Sequence, residues 1–402
     1  MIGMQMKKTW MSLAVAGLLM GTVSGGALMS KTEAASATAF SDVNSSAWYY
    51  ASVAKLAGKG LVNGCGDSLF CPDRSITRAE FIKMTDSALG LPVGEAAAGQ
   101  AWHVPYIQAA VSAGVHKTSD FNGSWSQPIS RQEMARLVVR AVDEKLRQAK
   151  TTDPQLVYEA TKRGILSGLS GGELGLKESS TRAQATVVID RMLTLLDGGS
   201  LPVDKRAASY AEVAYTGTNV ETMWGGNFRQ LPFKAKIRNY VNGEFKQILI
   251  LDMDDKNSPY RSWLPNGTLE QYDWRNPRGI VKTTKDLWKN EYMMAMRIKL
   301  SNTQTVKKLN YQFRDMIGAP YFVAALPVSD SRNEGPFATE LDFSMSTINS
   351  KEVWVFYAIK KEIVERAKKF NGEYFYFETF GNDHYLLYLG SKNGSIFGGN
   401  DA

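Results

Sequence analysis

The pattern of apolar positions changes near the middle of the chain. In the first half, apolar residues recur every three or four positions, which is the spacing of one helix face. A first helix is predicted over 48–57, with Tyr49, Val53 and Leu56 on its apolar face, and a second helix begins at Thr77. The same pair of helices follows twice more. The first half is therefore predicted to be an all-α bundle of repeated helix pairs.

The second half has the pattern of strands. It follows a stretch with glycine and proline at 198–207, which predicts a linker. Strands are predicted at Lys246–Met253, Glu291–Leu300, Val353–Ile359, Glu373–Phe380 and Tyr385–Leu389. Helical stripes predict two helices, over about 303–317 and 360–370. Residues 208–402 are therefore expected to form an α+β domain that is rich in strands and has two helices.

A four-residue motif sets the period of the helical repeats. Thr77-Arg78-Ala79-Glu80 recurs as Ser130-Arg131-Gln132-Glu133 and as Thr181-Arg182-Ala183-Gln184, with the arginines 53 and 51 residues apart. Self-similarity at a regular period indicates a repeat architecture. The repeats are predicted at 38–92, 93–147 and 148–197.

Each copy of the motif has the sequence of a capping box, in which a hydroxyl caps the helix and the fourth residue bonds back to the cap. The caps are Thr77, Ser130 and Thr181, and their partners are Glu80, Glu133 and Gln184. Capping does not explain the arginine, because a positive charge in the first turn opposes the helix dipole. We expect the arginine to add little stability and, with free backbone N–H groups, to bind a carboxylate or phosphate. The alternative is that the whole motif is purely structural.

The first repeat carries further residues of a known pattern. They are Phe40-Ser41-Asp42-Val43, Trp48, the turn Gly60-Leu61-Val62-Asn63-Gly64, Phe70, Pro72 and Ile76. With these residues and the motif, the segment 40–197 resembles the surface-layer homology (SLH) family of Gram-positive bacteria. The second repeat keeps fewer of them, including Trp102. The third repeat has Thr152 where the tryptophan is expected, yet it keeps the capping motif.

The resemblance implies both a fold and a ligand. SLH repeats pack as a pseudo-threefold helical bundle, and grooves between them bind secondary cell-wall polysaccharide, whose terminal unit is often a pyruvylated amino sugar. The implied carbohydrate-binding residues are Arg78, Arg131, Arg182, Asp42, Trp48, Trp102, Glu80, Glu133 and Gln184. Arginine suits the carboxylate and a tryptophan face suits a sugar ring. Trp48 and Trp102 equally fit a place in the core. The groove of Arg78 is expected to bind best.

The first 37 residues have the pattern of a secretory signal peptide. Lys7 and Lys8 precede an apolar run at Met11–Met20, and Ala35-Ser36-Ala37 forms a small-residue cleavage site. The alternative is an uncleaved membrane anchor, because 9–30 contains no charged residue. Cleavage predicts a secreted protein of the cell wall and cell surface, with no membrane span after cleavage.

Composition excludes several other functions. The net charge of +7 is spread along the chain without the dense basic stripe of a nucleic-acid-binding protein, so no nucleic acid partner is expected. Cys65 and Cys71 are the only cysteines, and outside the cytosol they are expected to form a disulfide; two thiols are the alternative. Three histidines and two cysteines leave little for a metal site or a thiol enzyme, so we expect no cofactor.

The second half shows no familiar catalytic motif. Asp252, Asp254 and Asp255 follow a predicted strand and suit Ca²⁺, with a solvated turn as the alternative. A glycosidase needs two carboxylates across a cleft, and the candidates are Asp252, Asp254, Glu340, Asp342 and Glu378. Residues that fit either a glycan groove or a core are Trp224, Trp263, Trp274, Trp288 and Trp354; His384 fits a turn.

The leading hypothesis is therefore a binding and structural protein. Its SLH repeats hold it non-covalently on the cell wall, and it displays the α+β module. We assign no catalytic residues, and an enzyme is the alternative: a wall-anchored protein whose second half acts on polysaccharide or wall polymer. A further alternative is a self-assembling surface-layer subunit, with other surface-layer proteins as partners.

Overall fold

A computed structural model describes residues 40–238, 240–261, 290–302, 317–321, 337–339, 350–368, 373–379 and 386–391. The chain divides into two units, Met1–Ala37 and Thr38–Ala402. The predicted signal peptide lies outside the described residues, as do residues 303–316 of the helix predicted over about 303–317. None of the helices in the described ranges is long and apolar enough to cross a membrane.

Helices fill the first half of the chain, as its apolar pattern predicts. They are α1 (Tyr50–Gly58), α2 (Arg78–Leu89), α3 (Val104–Ser112), α4 (Arg131–Val142), α5 (Lys145–Gln148), α6 (Asp153–Lys162), α7 (Arg182–Leu196), α8 (Lys205–Thr216) and α9 (Val220–Trp224). A short 3₁₀ turn, Ser170–Gly172, lies between α6 and α7. Helix α8 begins inside the segment predicted as a linker. The boundaries of the repeats and domains otherwise stay predictions.

Capping boxes start the second helix of each repeat. The hydroxyl of Thr77 accepts a hydrogen bond from the backbone N–H of Glu80 at 3.2 Å, and the Glu80 carboxylate accepts one from the Thr77 N–H at 2.9 Å. Ser130 with Glu133, and Thr181 with Gln184, have the same arrangement. These bonds satisfy N–H groups that the helix itself leaves free, which explains why α2, α4 and α7 begin at the motif.

A closed ring of backbone hydrogen bonds joins the three repeats just before these caps. Ile76 donates to the carbonyl of Ser180 at 3.0 Å, Ser180 donates to Ile129 at 2.9 Å, and Ile129 donates back to Ile76 at 2.9 Å. Each residue immediately precedes a cap. The side chains of Ile76 and Ile129 are fully buried in one core cluster that all three repeats share. The repeats therefore stabilise one another, because no pair of helices covers its own apolar face.

The outer helices pack on the second helices of neighbouring repeats. Helix α3 lies against α2, α6 against α4, and α1 against α7. Helix α8, which follows the three repeats, packs along α6 and places Ala211 in the shared core. The helical region thus extends past the last predicted repeat.

The second half is built from antiparallel strands. They are β1 (Asn227–Phe228), β2 (Phe233–Arg238), β3 (Val241–Asp252), β4 (Glu291–Asn302), β5 (Ile317–Tyr321), β6 (Phe337–Thr339), β7 (Ser350–Lys360), β8 (Glu373–Thr379) and β9 (Leu386–Ser391). They form a five-stranded sheet in the order β2-β3-β4-β7-β6 and a four-stranded sheet in the order β1-β9-β8-β5. Helix α10 (Lys361–Ala367) follows β7, within the predicted 360–370. The mixed helix and sheet content agrees with the predicted α+β class.

The centre of the five-stranded sheet is apolar on both faces. Strand β3 pairs with β4, and β4 with β7, so that Ala295 lies between Leu249 and Phe356. These residues belong to one cluster, while Ile248 and Met294 belong to another on the opposite face. A strand buried on both sides is expected to be a continuous apolar run, which is how Lys246–Met253 was identified as a strand.

Candidate functional site

The motif arginine of the first repeat is buried against the second repeat. Arg78 donates to the carbonyl of Asn122 at 2.8 Å, to the side chain of Gln127 at 2.9 Å and to the carboxylate of Glu133 at 2.5 Å. The guanidinium also lies over the ring of Phe121, 5.3 Å from its centroid. Because Arg78 has protein partners and is only 9% exposed, its bonds join two repeats rather than face solvent.

The other two motif arginines make equivalent bonds around the bundle. Arg131 donates to the carbonyls of Leu174 and Ser167 in the third repeat, and Arg182 donates to those of Phe70 and Asn63 in the first. The resemblance implied that all three arginines contact an anionic ligand. Arg131 is buried like Arg78, and Arg182 is the one of the three that lines the groove described next.

A groove of about 330 Å³ lies where the three repeats meet around the first capping motif. Its lining comes from the turn Gly60–Gly64, from Glu80, Lys83, Met84 and Ser87 on α2, from Trp102 just before α3, and from Arg182 and Thr186 on α7. The groove therefore combines three residues that the sequence singled out, Glu80, Trp102 and Arg182. It forms only because helices from all three repeats pack side by side.

An exposed aromatic face and a cation stand together in this groove. Trp102 is 49% exposed, so its ring does not fill the core. The ammonium of Lys83 lies 5.7 Å from the centroid of Trp102 and 5.7 Å from that of Tyr106. Lys83 has no carboxylate partner within the described part of the chain. A flat apolar ring next to a free ammonium is suited to a ring-shaped ligand that carries a negative charge.

The charges around the groove are unbalanced toward positive. Glu80 is neutralised by Arg74, whose guanidinium lies 2.6 Å from its carboxylate. Burial opposes the charged form of Glu80, but the bonds from Arg74 and from the Thr77 backbone outweigh it and lower the pKa. Arg182 uses Nε and Nη2 for carbonyls, and its Nη1 makes no hydrogen bond within the described residues. Lys83 and Arg182 therefore favour an anionic ligand.

The turn that borders the groove, Gly60–Gly64, is followed by a loop that a disulfide and Asp42 stabilise. Both carboxylate oxygens of Asp42 accept backbone hydrogen bonds at 2.7 Å, from Phe70 and from Cys71. Cys71 is joined to Cys65 by a disulfide, as the sequence predicts. The carboxylate of Asp42 thus holds the loop that the disulfide joins to the turn, and its contact with a sugar stays a prediction. Gly64 has no space for a side chain, because a Cβ there would lie 2.7 Å from the carbonyl of Leu69.

A second cavity, of about 310 Å³, lies at the corresponding place in the second repeat. Its charged side chains are largely paired: Arg136 forms two hydrogen bonds of 2.8 Å with Asp153, and Arg140 forms two with Asp120. Neither cavity includes Trp48, which is 65% exposed. The cavity of the second repeat thus lacks the exposed tryptophan of the first groove, although the ammonium groups of Lys117 and Lys150 line it.

Lys83 lines the groove but was not among the residues singled out from the sequence. It stands five positions after Arg78, and the equivalent position holds Arg136 in the second repeat and Val187 in the third. Aligning the repeats shows a cation at this position in two of them, one turn after the capping box. The alignment alone does not indicate a binding role, because lysine and arginine are common on solvated helix faces.

The acidic residues after β3 face a lysine rather than an open space. The ammonium of Lys361 lies 2.5 Å from Asp252 and 2.8 Å from Asp254. Burial disfavours the charged lysine, but the bonds to the two carboxylates outweigh it and raise its pKa. Asp255 accepts a bond from the backbone of Asn257. Within the described ranges, no group of three or more His, Cys, Asp or Glu side chains is placed to hold a metal ion.

The other candidates of the second half divide between the core and the undescribed residues. Trp224 is 2% exposed in the core, and Trp354 packs beside Phe356. Outside the described residues lie Glu340, Asp342, His384, Trp263, Trp274 and Trp288. Glu378 is in β8, and its side chain is not described. Among the candidate carboxylates whose side chains the structure describes, Asp252 and Asp254 lie together and share Lys361.

Comparison with known proteins identifies the first helical repeat. Residues 39–82 match the S-layer homology domain. The first repeat is an SLH domain. The chain is also similar to the "Surface-layer 125 kDa protein" of Lysinibacillus sphaericus, with 29% identity over 36% of this chain and 13% of the relative. It is 33% identical to "S-layer protein sap" of Bacillus anthracis over 34% of this chain and 16% of that protein.

Enzymes are found among the relatives as well. An endoglucanase of Bacillus sp. (strain KSM-635) is 27% identical over 38% of this chain and 18% of the enzyme. The chain thus spans less than a fifth of the length of each of these relatives, and the similarity lies in the SLH region. The SLH match and the surface-layer relatives indicate a secreted protein of the cell surface. They leave the activity of the second half open.

Proposed function

We propose that this protein is anchored non-covalently to the cell wall by its SLH repeats, which bind an acidic secondary cell-wall polysaccharide, and that it displays the C-terminal α+β module. The observation that carries this proposal is the groove at Trp102. It places an exposed aromatic ring, a free ammonium and a partly buried guanidinium within one space of about 330 Å³. That volume accommodates one or two sugar rings rather than a long polymer segment.

The pseudo-threefold arrangement of the SLH family supports the same proposal. In the closed ring of hydrogen bonds through Ile76, Ile129 and Ser180, each repeat contributes one residue at the equivalent position. The arginines at equivalent positions, Arg78, Arg131 and Arg182, likewise each donate to a loop of the neighbouring repeat. In such an arrangement each repeat borders one groove, and the grooves differ only by the side chains that line them.

A carboxylate on the terminal sugar, as in a pyruvylated unit, fits the charges of the groove. The sugar ring would stack on Trp102, and its carboxylate would meet the ammonium of Lys83 and Nη1 of Arg182. Glu80 does not repel it, because Arg74 already neutralises that side chain. Charge-assisted bonds of this kind contribute roughly 1.5–3 kcal/mol each to binding.

The test is binding of the full-length secreted protein to purified cell walls, with and without their secondary polymer. Trp102→Ala and Lys83→Ala are expected to lower the affinity about tenfold or more, since each removes one element of the groove. Tyr240→Asn is the matched control, because Tyr240 is 47% exposed, similar to Trp102, and lies on the hairpin between β2 and β3. Walls stripped of the polymer should not bind. Equal binding by Trp102→Ala and the unchanged protein would show that the groove at Trp102 is not the polymer-binding site.

A wall-anchored enzyme is the second candidate, and the relatives named as glycanases favour it. Besides the endoglucanase, an "Amylopullulanase" and an "Exoglucanase XynX" share the similarity. In that case the repeats would anchor a catalytic second half. Incubation of the full-length protein with cell-wall polysaccharide and soluble glucans, followed by measurement of released reducing ends, distinguishes the two. Release above that of a heat-denatured sample supports the enzyme.

A further inference from the structure

In the third repeat, the chain itself covers the position that corresponds to the open groove of the first repeat, and this position is called the third groove below. In the first repeat, Gly60 and Gly64 line the open groove. Their counterparts in the third repeat are Gly164 and Gly168, four residues apart in the same way. A Cβ built on Gly60 meets no atom within 4 Å, whereas a Cβ on Gly164 lies 2.7 Å from the carbonyl oxygen of Pro202. The same backbone position is therefore open in one repeat and covered in another.

The covering segment brings a carboxylate to the groove. Oδ2 of Asp204 accepts a hydrogen bond of 2.9 Å from the backbone N–H of Gly168. The first groove has Gly64 at this place, and within the described residues the Gly64 N–H donates no hydrogen bond. Asp204 thus accepts a hydrogen bond from the N–H group of the third repeat whose counterpart in the first repeat has no partner among the described residues.

One cation of the third repeat lies near enough to this carboxylate for their charges to interact. Arg191 corresponds to Ser87 of the first groove, and its Nη1 donates to Ile165 and to the hydroxyl of Ser167. Burial lowers the pKa of Arg191, and the charges of Asp190 and Asp204 oppose that shift. Arg131 reaches Ser167 from the neighbouring repeat. The Asp204 carboxylate is therefore held here by one N–H group, and Arg191 adds positive charge nearby without a hydrogen bond to it within the described residues.

We propose that the third groove is a carboxylate-binding site which Asp204 fills from within the chain, so that the segment 201–206 and an acidic sugar compete for it. The assignment of an acidic sugar as competitor rests on the proposed function of the first groove. The exposed Trp48, which precedes α1 where that helix packs on α7, would supply the aromatic face. In this state the bundle offers one open aromatic groove, and the third is occupied by the linker to the displayed module.

The variant Asp204→Asn separates this contact from helix capping. Oδ1 of Asp204 caps α8 by accepting from Arg206 and Ala207, both at 3.1 Å. Asparagine caps a helix about as well as aspartate, so α8 is expected to remain. Its NH₂ group, however, would face the N–H of Gly168, donor against donor. Asp197→Asn is the matched control, because Asp197 is exposed at the end of α7 and loses the same charge.

Two measurements on the full-length protein test the proposal. Hydrogen exchange of the peptide that contains Gly168 should become about tenfold faster in Asp204→Asn and stay unchanged in Asp197→Asn, since a charge-assisted bond is lost only in the first. Unchanged exchange in Asp204→Asn would show that the carboxylate does not hold the segment in the groove. This result does not depend on any ligand.

The second measurement is binding of purified wall polymer to variants that carry Trp102→Ala. With the first groove disabled, Asp204→Asn should restore binding, and Asp197→Asn should not. Faster exchange without restored binding would overturn the third groove as a ligand site. If the unchanged protein fails to bind polymer at all, the proposed function fails, whereas the exchange result still decides whether Asp204 fills the groove.

Discussion

Arg78 and Glu133 form a buried ion pair between the first and second repeats. Nη2 of Arg78 lies 2.5 Å from Oε1 of Glu133, and both side chains are about nine-tenths buried. The other oxygen of Glu133 accepts from the backbone N–H of Ser130 at 2.9 Å. One carboxylate therefore completes a capping box and holds the arginine of the preceding repeat. The capping motif of the second repeat thus also binds the motif arginine of the first repeat.

The ion pair makes Arg78 important for folding stability. Arg78→Ala is expected to destabilise the protein by about 3–5 kcal/mol, because it leaves the Glu133 carboxylate buried without its partner. The helix-dipole argument from sequence alone predicts a small effect. Thr77→Ala is the control: it removes the cap, keeps the ion pair and should cost about 1 kcal/mol. Urea denaturation of the three proteins measures this. A smaller loss for Arg78→Ala than for Thr77→Ala would contradict the structure.

Asp86 should make stability depend on pH. It is fully buried on α2, and neither carboxylate oxygen has a hydrogen-bond partner within the described part of the chain. Its counterpart in the third repeat, Asp190, accepts from Ser52 at 2.8 Å and pairs with Lys55 at 2.6 Å. The second repeat has Tyr106 and Ala109 where the first has Ser52 and Lys55, so Asp86 lacks those partners.

Burial raises the pKa of Asp86 to about 7, from 3.8 in the unfolded chain. The folded state therefore holds the proton more tightly, and stability falls as the pH rises from about 4 to 7. Asp86→Asn should remove this fall and raise the free energy of unfolding at pH 8 by on the order of 3 kcal/mol. Asp190→Asn should instead destabilise the protein at pH 8. Thermal melting of the three proteins across this pH range measures the effect. If the melting temperatures of Asp86→Asn and the unchanged protein changed in parallel with pH, Asp86 would not be the source of the pH dependence.

Helix α8 should be part of the folded helical region. Ala207, Ala208 and Ala211 are buried, and Ala211 lies in the core that the repeats share. A fragment 38–217 is expected to unfold at a higher urea concentration than 38–197, because removal of α8 exposes the face of α6 that it covers. Binding of a hydrophobic dye should rise only for the shorter fragment. Equal midpoints for the two fragments would mean that α8 belongs to the displayed module.

The disulfide should support the groove through the turn that borders it. Cys65 directly follows Gly64, and Cys71 donates its backbone N–H to Asp42. Replacement of both cysteines by serine is expected to weaken polymer binding severalfold with a modest loss of stability, since the bond closes a short loop. Alkylation and mass measurement of the secreted protein, before and after reduction, check the bond. Modification of both thiols without reduction would exclude it.

The elements were largely predictable because their signals are local. The apolar runs identified β3, β4 and β7 to within a few residues. Strand β3 begins at Val241 rather than at Lys246, because pairing with β4 continues beyond the continuous apolar run. The strands β8 and β9 pair as the predicted hairpin. A strand boundary depends on its neighbour, and the neighbour is distant in the sequence.

The candidate site was predictable only in part. The sequence singled out Trp102 and Arg182 together with seven other residues, and it favoured the groove of Arg78. The structure places Arg78 in the interior and Trp102 beside Lys83. Spacing along the chain cannot show whether a tryptophan covers a core or stands at its edge, because exposure depends on what packs against the ring.

The three repeats and their capped helices follow from local sequence, since a capping box joins residues three positions apart and its geometry depends on the local backbone. The contacts of the arginines depend instead on how the repeats pack. Arg78 bonds to residues 44–55 positions away, and Arg182 to residues 112 and 119 positions away. Such partners are set by how the repeats close into a ring. The same closure leaves Trp102 exposed and lets Asp204 reach Gly168, because each groove is formed by parts of the chain that meet only after packing.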